Sequence, residues 1–146
     1  MRCWHYKLLP YLPNSQLIAQ KRECDLIWKD IAKGKQTNHI LINYIWEYVD
    51  YLKELSIYYW LLKKEFYERG FNFRICDDAY LLTEYNFDEP FNIHHNDRYL
   101  LQCFYNLQEK YDRGQKDFDN ETFRNLIIFV DNELNYNCDL LLNARW

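Results

Sequence analysis

The sequence predicts an all-α protein, read as one helical domain over residues 1–146 with three to four main helices and long connections. Three observations carry this. Apolar residues recur at three- and four-residue steps over long windows. Only 3 Gly and 3 Pro are present, too few for a turn-rich β fold. Hydrophobic residues make up 49% of the 146 positions, enough for a core that needs no staples.

The elements follow in order. A compact apolar start runs from Met1 through Pro10 and Pro13 into the first helix. Asn14 or Ser15 can cap that helix, which extends to about Ala32. Leu17, Ile18, Lys21, Cys24, Ile27, Trp28 and Ile31 give it a mostly apolar stripe, and Gly34 ends it. Lys33 to His39 is a polar, basic loop. Ile40 to Tyr44 is short and apolar, either extended or leading into the next helix. The second helix has the clearest period: Ile45, Tyr48, Val49, Leu52, Leu55, Tyr59, Leu62 and Phe66, with Gly70 as its C′ residue. Residues 71–93 read as an irregular, aromatic and acidic connection, long enough to hold short helical turns. A third helix starts near Asn96 or Asp97, carries Leu100, Phe104, Leu107 and Tyr111, and ends at Gly114. A fourth starts near Asp119 or Asn120 and carries Phe123, Leu126, Ile127, Val130 and Leu134. Leu140 to Leu142 form a last short segment before Trp146.

Composition narrows the function. The net charge of −4 counts against strong nonspecific nucleic-acid binding, although it permits a local basic face. Aromatics reach 19%, with 14 Tyr spread along the whole chain, which favours packing over a stacking surface for bases. The 5 Cys include no C-x-x-C pair, so neither a zinc site nor a disulfide scaffold is expected. His94 and His95 are adjacent, and adjacent side chains diverge, so a helix-capping turn is favoured there over a metal site. No metal and no cofactor are expected. Gly-rich phosphate loops, G-x-S-x-G and H-E-x-x-H are absent from the sequence. No apolar run reaches membrane-spanning length, and Lys7, Pro10 and Pro13 interrupt any signal-like core. The expected location is the cytoplasm, with no membrane partner.

The first segment also carries a pattern: Met1-Arg2-x-Trp4-His5-x-x-Leu8-x-Pro10-x-Leu12-Pro13-x-x-Gln16-Leu17-x-x-Gln20-x-Arg22-Glu23. It resembles the start of the pyrimidine-dimer DNA glycosylase (endonuclease V-like) family, most of all its uncharacterised bacterial and phage branch. Weaker matches are Asn43-Tyr44, Arg69-Gly70-Phe71-Asn72, His94-His95-Asn96-Asp97 and Asn106-Leu107-x-Glu109-Lys110. The resemblance implies a compact all-α domain acting on damaged double-stranded DNA. It implies an N-terminal amine, here on Met1, that attacks the sugar C1′ and forms a Schiff base. By motif position Glu23 is the carboxylate that stabilises cationic sugar and handles protons, and Arg22 holds a phosphate. The lesion is reached by flipping a nucleotide out of the stack. The chain departs from the pattern where a small residue is expected after Met1, because Arg2 stands there. Cys3 and Leu26 stand where the family carries arginines.

Read from the residues alone, each candidate keeps an ordinary alternative. For Glu23 and Arg22 a solvated helix face is favoured until the family motif is added. Arg2, Lys33, Lys35 and His39 are candidate DNA contacts, and the last three equally suit a solvated loop. Trp4, His5 and Tyr44 are candidate pocket residues. Trp4 and Tyr44 are favoured as core, and His5 as a hydrogen-bonded structural histidine that could otherwise carry protons near neutral pH. The alternative function is a non-catalytic module on the same fold that binds nucleic acid or a protein partner.

Overall fold

The computed structural model describes residues 1–81 and 88–135. It is all-helical, with four α-helices and two short 3-10 helices among the described residues. The α-helices are α1 (Asn14–Ala32), α2 (Tyr51–Glu68), α3 (Asp97–Asp112) and α4 (Asn120–Leu134). The 3-10 helices are Tyr6–Tyr11 and Asn43–Glu47. The Leu140–Leu142 segment lies outside the described residues.

α1 starts at Asn14, but neither Asn14 nor Ser15 caps it with its own side chain. Asp117 does so from a distant loop. Its Oδ2 accepts from the Ser15 N–H at 2.6 Å and its Oδ1 from the Ser15 hydroxyl at 2.9 Å. Burial opposes ionisation here, yet the bonds from Ser15 and Gln115 hold the Asp117 carboxyl below its ordinary value. At the other end Gly34 takes φ +76°, and the Gly34 and Lys35 N–H groups return to the carbonyls of Ile31 and Asp30.

The second helix begins later than its apolar period suggests. Asn43–Glu47 closes as a 3-10 turn that buries Ile45, and Val49 is fully exposed. The helix itself starts at Tyr51, where Asp50 accepts from the Lys53 N–H. α2 is the central element. Leu55 to Trp60 are all buried, so it packs on all sides rather than along one stripe. Asn96 caps α3 and Asp119 caps α4, accepting from the Tyr99 and Thr122 N–H groups at 3.0 and 2.8 Å. α3 packs on α4 through aromatic pairs, with Tyr111 stacked on Phe123 at 4.0 Å. Phe91, in the turns before α3, sits fully buried at φ +54°. Its N–H donates to Glu54 and its ring meets Tyr44, Tyr48 and His95. Those contacts hold a backbone conformation that a non-glycine residue rarely adopts.

Candidate active site at the N-terminus

Residues 2–4 pair with no strand, so their backbone groups need other partners. Side chains of three helices supply them. Gln20 of α1, almost fully buried, accepts from the Trp4 N–H at 2.8 Å and donates to the Arg2 carbonyl at 2.8 Å. The Tyr58 hydroxyl of α2 donates to the Trp4 carbonyl at 2.7 Å. The Tyr99 hydroxyl of α3 donates to the Cys3 carbonyl at 2.6 Å. The Arg2 N–H donates to Glu23 Oε2 at 3.2 Å. The first residues are thus pinned along α1, with Glu23 at their end.

This arrangement opens on a cleft of about 250 Å³. Met1, Arg2 and Trp4 line it from the N-terminal segment, and Gln20 and Glu23 from α1. Leu41 enters from the apolar segment after the basic loop, and Asn106 and Lys110 from α3. The Arg2 guanidinium lies 5.2 Å from the centre of the Trp4 ring, a cation–π distance.

The structure divides the sequence candidates. Met1, Arg2, Trp4 and Glu23 share the cleft. Arg22 is exposed and does not line it, since consecutive helical residues point about 100° apart. Lys33 and Lys35 are exposed on the loop. His39 organises that loop instead, with Nδ1 accepting from the Leu41 N–H and its own N–H donating to Asn43. Tyr44 lines a second cavity of about 320 Å³ with Leu41, Arg98 and Gln102. Leu41 therefore belongs to both cavities.

His5 lines neither cavity. It is buried, and burial first, then the nearby Lys7, lowers its pKa to about 4. A histidine held neutral in this way does not exchange protons near neutral pH. Its Nδ1 accepts from the Lys7 N–H, which starts the 3-10 turn. His95 is lowered as well, by burial and then by His5 and His94. Its Nδ1 accepts from the Tyr6 N–H, so its Nε2–H faces the Tyr44 hydroxyl at 2.7 Å. His94 bridges Tyr48 and Glu47. Among the described residues no group of His, Cys, Asp and Glu is arranged to hold a metal ion. Cys3, Cys24, Cys76 and Cys103 are free thiols. Among the described residues no helix is long and apolar enough to cross a membrane.

Sequence reasoning did not single out Gln16, Ala19, Gln20, Leu41, Asn106 or Lys110 for the site. Gln20 is marked only by its place within the motif. Asn106 and Lys110 stand four residues apart on one helix face, a spacing visible in the sequence. A larger cavity, about 550 Å³, lies elsewhere, against α4 and the start of α1. Asp117 and Asp119 line it, and its Arg69 is already bonded to Glu65, Asn14 and two backbone carbonyls. Its size does not make it a phosphate site.

Fold and cleft together define an all-helical protein that fixes its N-terminal segment beside a glutamate in an open, cation-walled cleft. The sequence model described as pyrimidine dimer DNA glycosylase matches residues 1–78, more than half of the chain. The chain belongs to that family, and its function at that level is of the pyrimidine-dimer DNA glycosylase type, with DNA as substrate. Comparison with curated proteins and with solved structures returns no match. The matched residues hold the N-terminal segment, α1 and α2, while the α3 wall with Lys110 lies beyond them.

Proposed function

We propose that this chain is a DNA glycosylase with abasic-site lyase activity, acting on pyrimidine dimers or related base lesions in double-stranded DNA. The N-terminal amine is the nucleophile and Glu23 its partner. The observation that supports this most is the 3.2 Å separation of the residue-2 nitrogen from Glu23 Oε2. With Met1 in place, its amine lies one residue beyond that nitrogen, and Met1 lines the cleft together with Glu23. With Met1 removed, the residue-2 nitrogen is itself the amine.

The chemistry follows from the groups. An α-amine titrates near ~7.7–8, so roughly a tenth is neutral at pH 7, against less than about one part in a thousand for a lysine near ~10.4. The terminal amine is therefore the nucleophile in this cleft, and Lys110 and Arg2 are its phosphate-holding cations. The amine lone pair attacks C1′, and the glycosidic C–N bond breaks with its electron pair leaving on the base. Glu23 accepts the amine proton and balances the positive charge on the sugar. Ring opening gives the Schiff base, from which loss of the C2′ proton expels the 3′ phosphate.

A second reading is a binding module without catalysis, for nucleic acid or a protein partner. The observation that favours it is that Glu23 already accepts from a backbone amide, the Arg2 N–H, as long as Met1 is present. Borohydride trapping on duplex DNA with a pyrimidine dimer or an abasic site separates the two. The enzyme reading expects a covalent adduct and strand nicking, both lost in Glu23→Gln. No adduct and no nicking on either substrate selects the module.

A further inference from the structure

The two cavities adjoin at Leu41, which lines both, as two lobes. α3 lines both lobes along a slanting row, in which Arg98, Gln102, Asn106 and Lys110 follow at four-residue steps. Arg98 and Gln102 line one lobe, and Asn106 and Lys110 the other. From Arg98 to Lys110 this row spans about 18 Å, the axial rise of roughly five nucleotides.

Charge separates this lining from the other cavities. Its only carboxylate is Glu23. Three further cavities each carry at least two, Asp117 and Asp119 in one, Glu54 and Glu89 in another, Asp25 and Asp77 in the third. In a chain of net charge −4, this lining therefore carries fewer carboxylates than those three cavities. Among the described residues neither Arg98 nor Lys110 enters an ion pair. A polyanionic strand suits this lining better than those three carboxylate-bearing cavities.

Between the lobes stands an apolar tip. Ile40 is 87% exposed and Leu41 39%, although both are large and hydrophobic. The tip is stiff. Ile42 is fully buried behind it, His39 and Asn43 bond across it, and the Trp46 indole N–H holds the Thr37 carbonyl at 2.9 Å. Folding alone gives no reason to hold two exposed aliphatic side chains so firmly between these two lobes.

We propose that Ile40 and Leu41 form a wedge that enters the base stack of duplex DNA while the Arg98-to-Lys110 face of α3 holds the backbone on either side. The inference rests on the reading of the chain as a DNA glycosylase and adds the element that opens the duplex. An apolar side chain inserted at a base step replaces lost stacking contacts and kinks the helix. It keeps the displaced nucleotide from returning while the amine and Glu23 act on its sugar.

The test uses a duplex with a tetrahydrofuran abasic analogue, which cannot form a Schiff base, and a neighbouring 2-aminopurine that brightens when unstacked. The full chain is expected to raise the fluorescence several-fold at saturation. Leu41→Ala, and the double variant with Ile40→Ala, should lose most of that rise, and Leu41→Phe should keep it. Thermal melts check that each variant is folded. On natural abasic sites, the duplex-to-single-strand ratio of borohydride trapping should fall about ten-fold in Leu41→Ala, since a single strand has no stack to open. Arg98→Gln and Lys110→Gln should each lower the salt slope of binding by about one. A rise in folded Leu41→Ala equal to that of the unaltered chain overturns the wedge, as does no rise in the unaltered chain. A Leu41-dependent rise without trapping on any substrate retains the wedge and removes the catalytic reading. Trapping with a Leu41-independent rise does the reverse.

Discussion

Residues 1–5 run between two polar clusters that differ in their access to water. On one side Glu23, Arg2 and Lys110 face an open cleft. On the other, His5 and His95 are packed into the core with half-buried Tyr44 and Tyr99 at its edge. The buried cluster holds the residue types most often credited with chemistry. Burial pushes the histidines toward the neutral form and the phenols away from ionisation. They accept and donate fixed hydrogen bonds, and so they hold the N-terminal segment in place. The open cluster holds ordinary charged groups that keep contact with solvent and substrate. One segment thus has a structural side and a reactive side, and accessibility rather than residue type decides between them.

The strongest way to break this contrast is Glu23→Gln. It preserves shape and hydrogen bonding, and should lower trapping and nicking by about 10²–10⁴-fold without loss of folding. An unchanged rate would leave the cleft without its carboxylate role.

Acid should act on the other side. His5 has a pKa of about 4 in the folded chain against an ordinary 6.5, and His95 is lowered too. Between those values the unfolded chain binds more protons, so the stability is complete above ~6.5 and lost as pH falls through about 4. For His5 alone the loss is about 3 kcal/mol. Asp117 is held below its ordinary value, so its own protonation falls below this window. Urea unfolding at pH 7 and pH 4 measures the loss, and a folded His5→Gln should show a shallower dependence. Equal slopes would mean that the burial of His5 does not govern its charge.

Gln20→Ala sits between the two clusters. It leaves the Trp4 N–H and the Arg2 carbonyl without their partner and should cost about 2 kcal/mol in stability. It should also lower trapping beyond what the remaining folded fraction explains, because the amine is no longer positioned. Activity proportional to folded fraction would make Gln20 purely structural. The smallest effect is expected from Asp117→Ala, which removes the remote cap of α1 at about 1 kcal/mol, read as a shift in Tm, with activity per folded molecule unchanged.

Much of this was legible in the sequence, and the rest was not for identifiable reasons. Periodicity with Gly34, Asn96, Gly114 and Asp119 marks α1, α3 and α4 closely, because these helices carry one apolar face and local punctuation. The start of α2 was misplaced since Ile45 is buried with helical spacing although it belongs to a separate turn. The cap on Ser15 was unreadable, since Asp117 reaches it from 102 residues away. The first segment and Glu23 could be singled out by motif, whereas Arg22, its neighbour in that motif, faces away from the cleft. Lys110 stands in a weakly matching stretch, but only the packing of α3 brings it beside Glu23.

The most direct measurement is to map the borohydride adduct by peptide mass. Trapping is carried out on an abasic duplex, with intact mass recording whether Met1 is present. The account predicts one adduct, on the N-terminal nitrogen of Met1 or of a processed Arg2, and its absence in Glu23→Gln. An adduct on Lys110 or another lysine, or one that persists in Glu23→Gln, would contradict it.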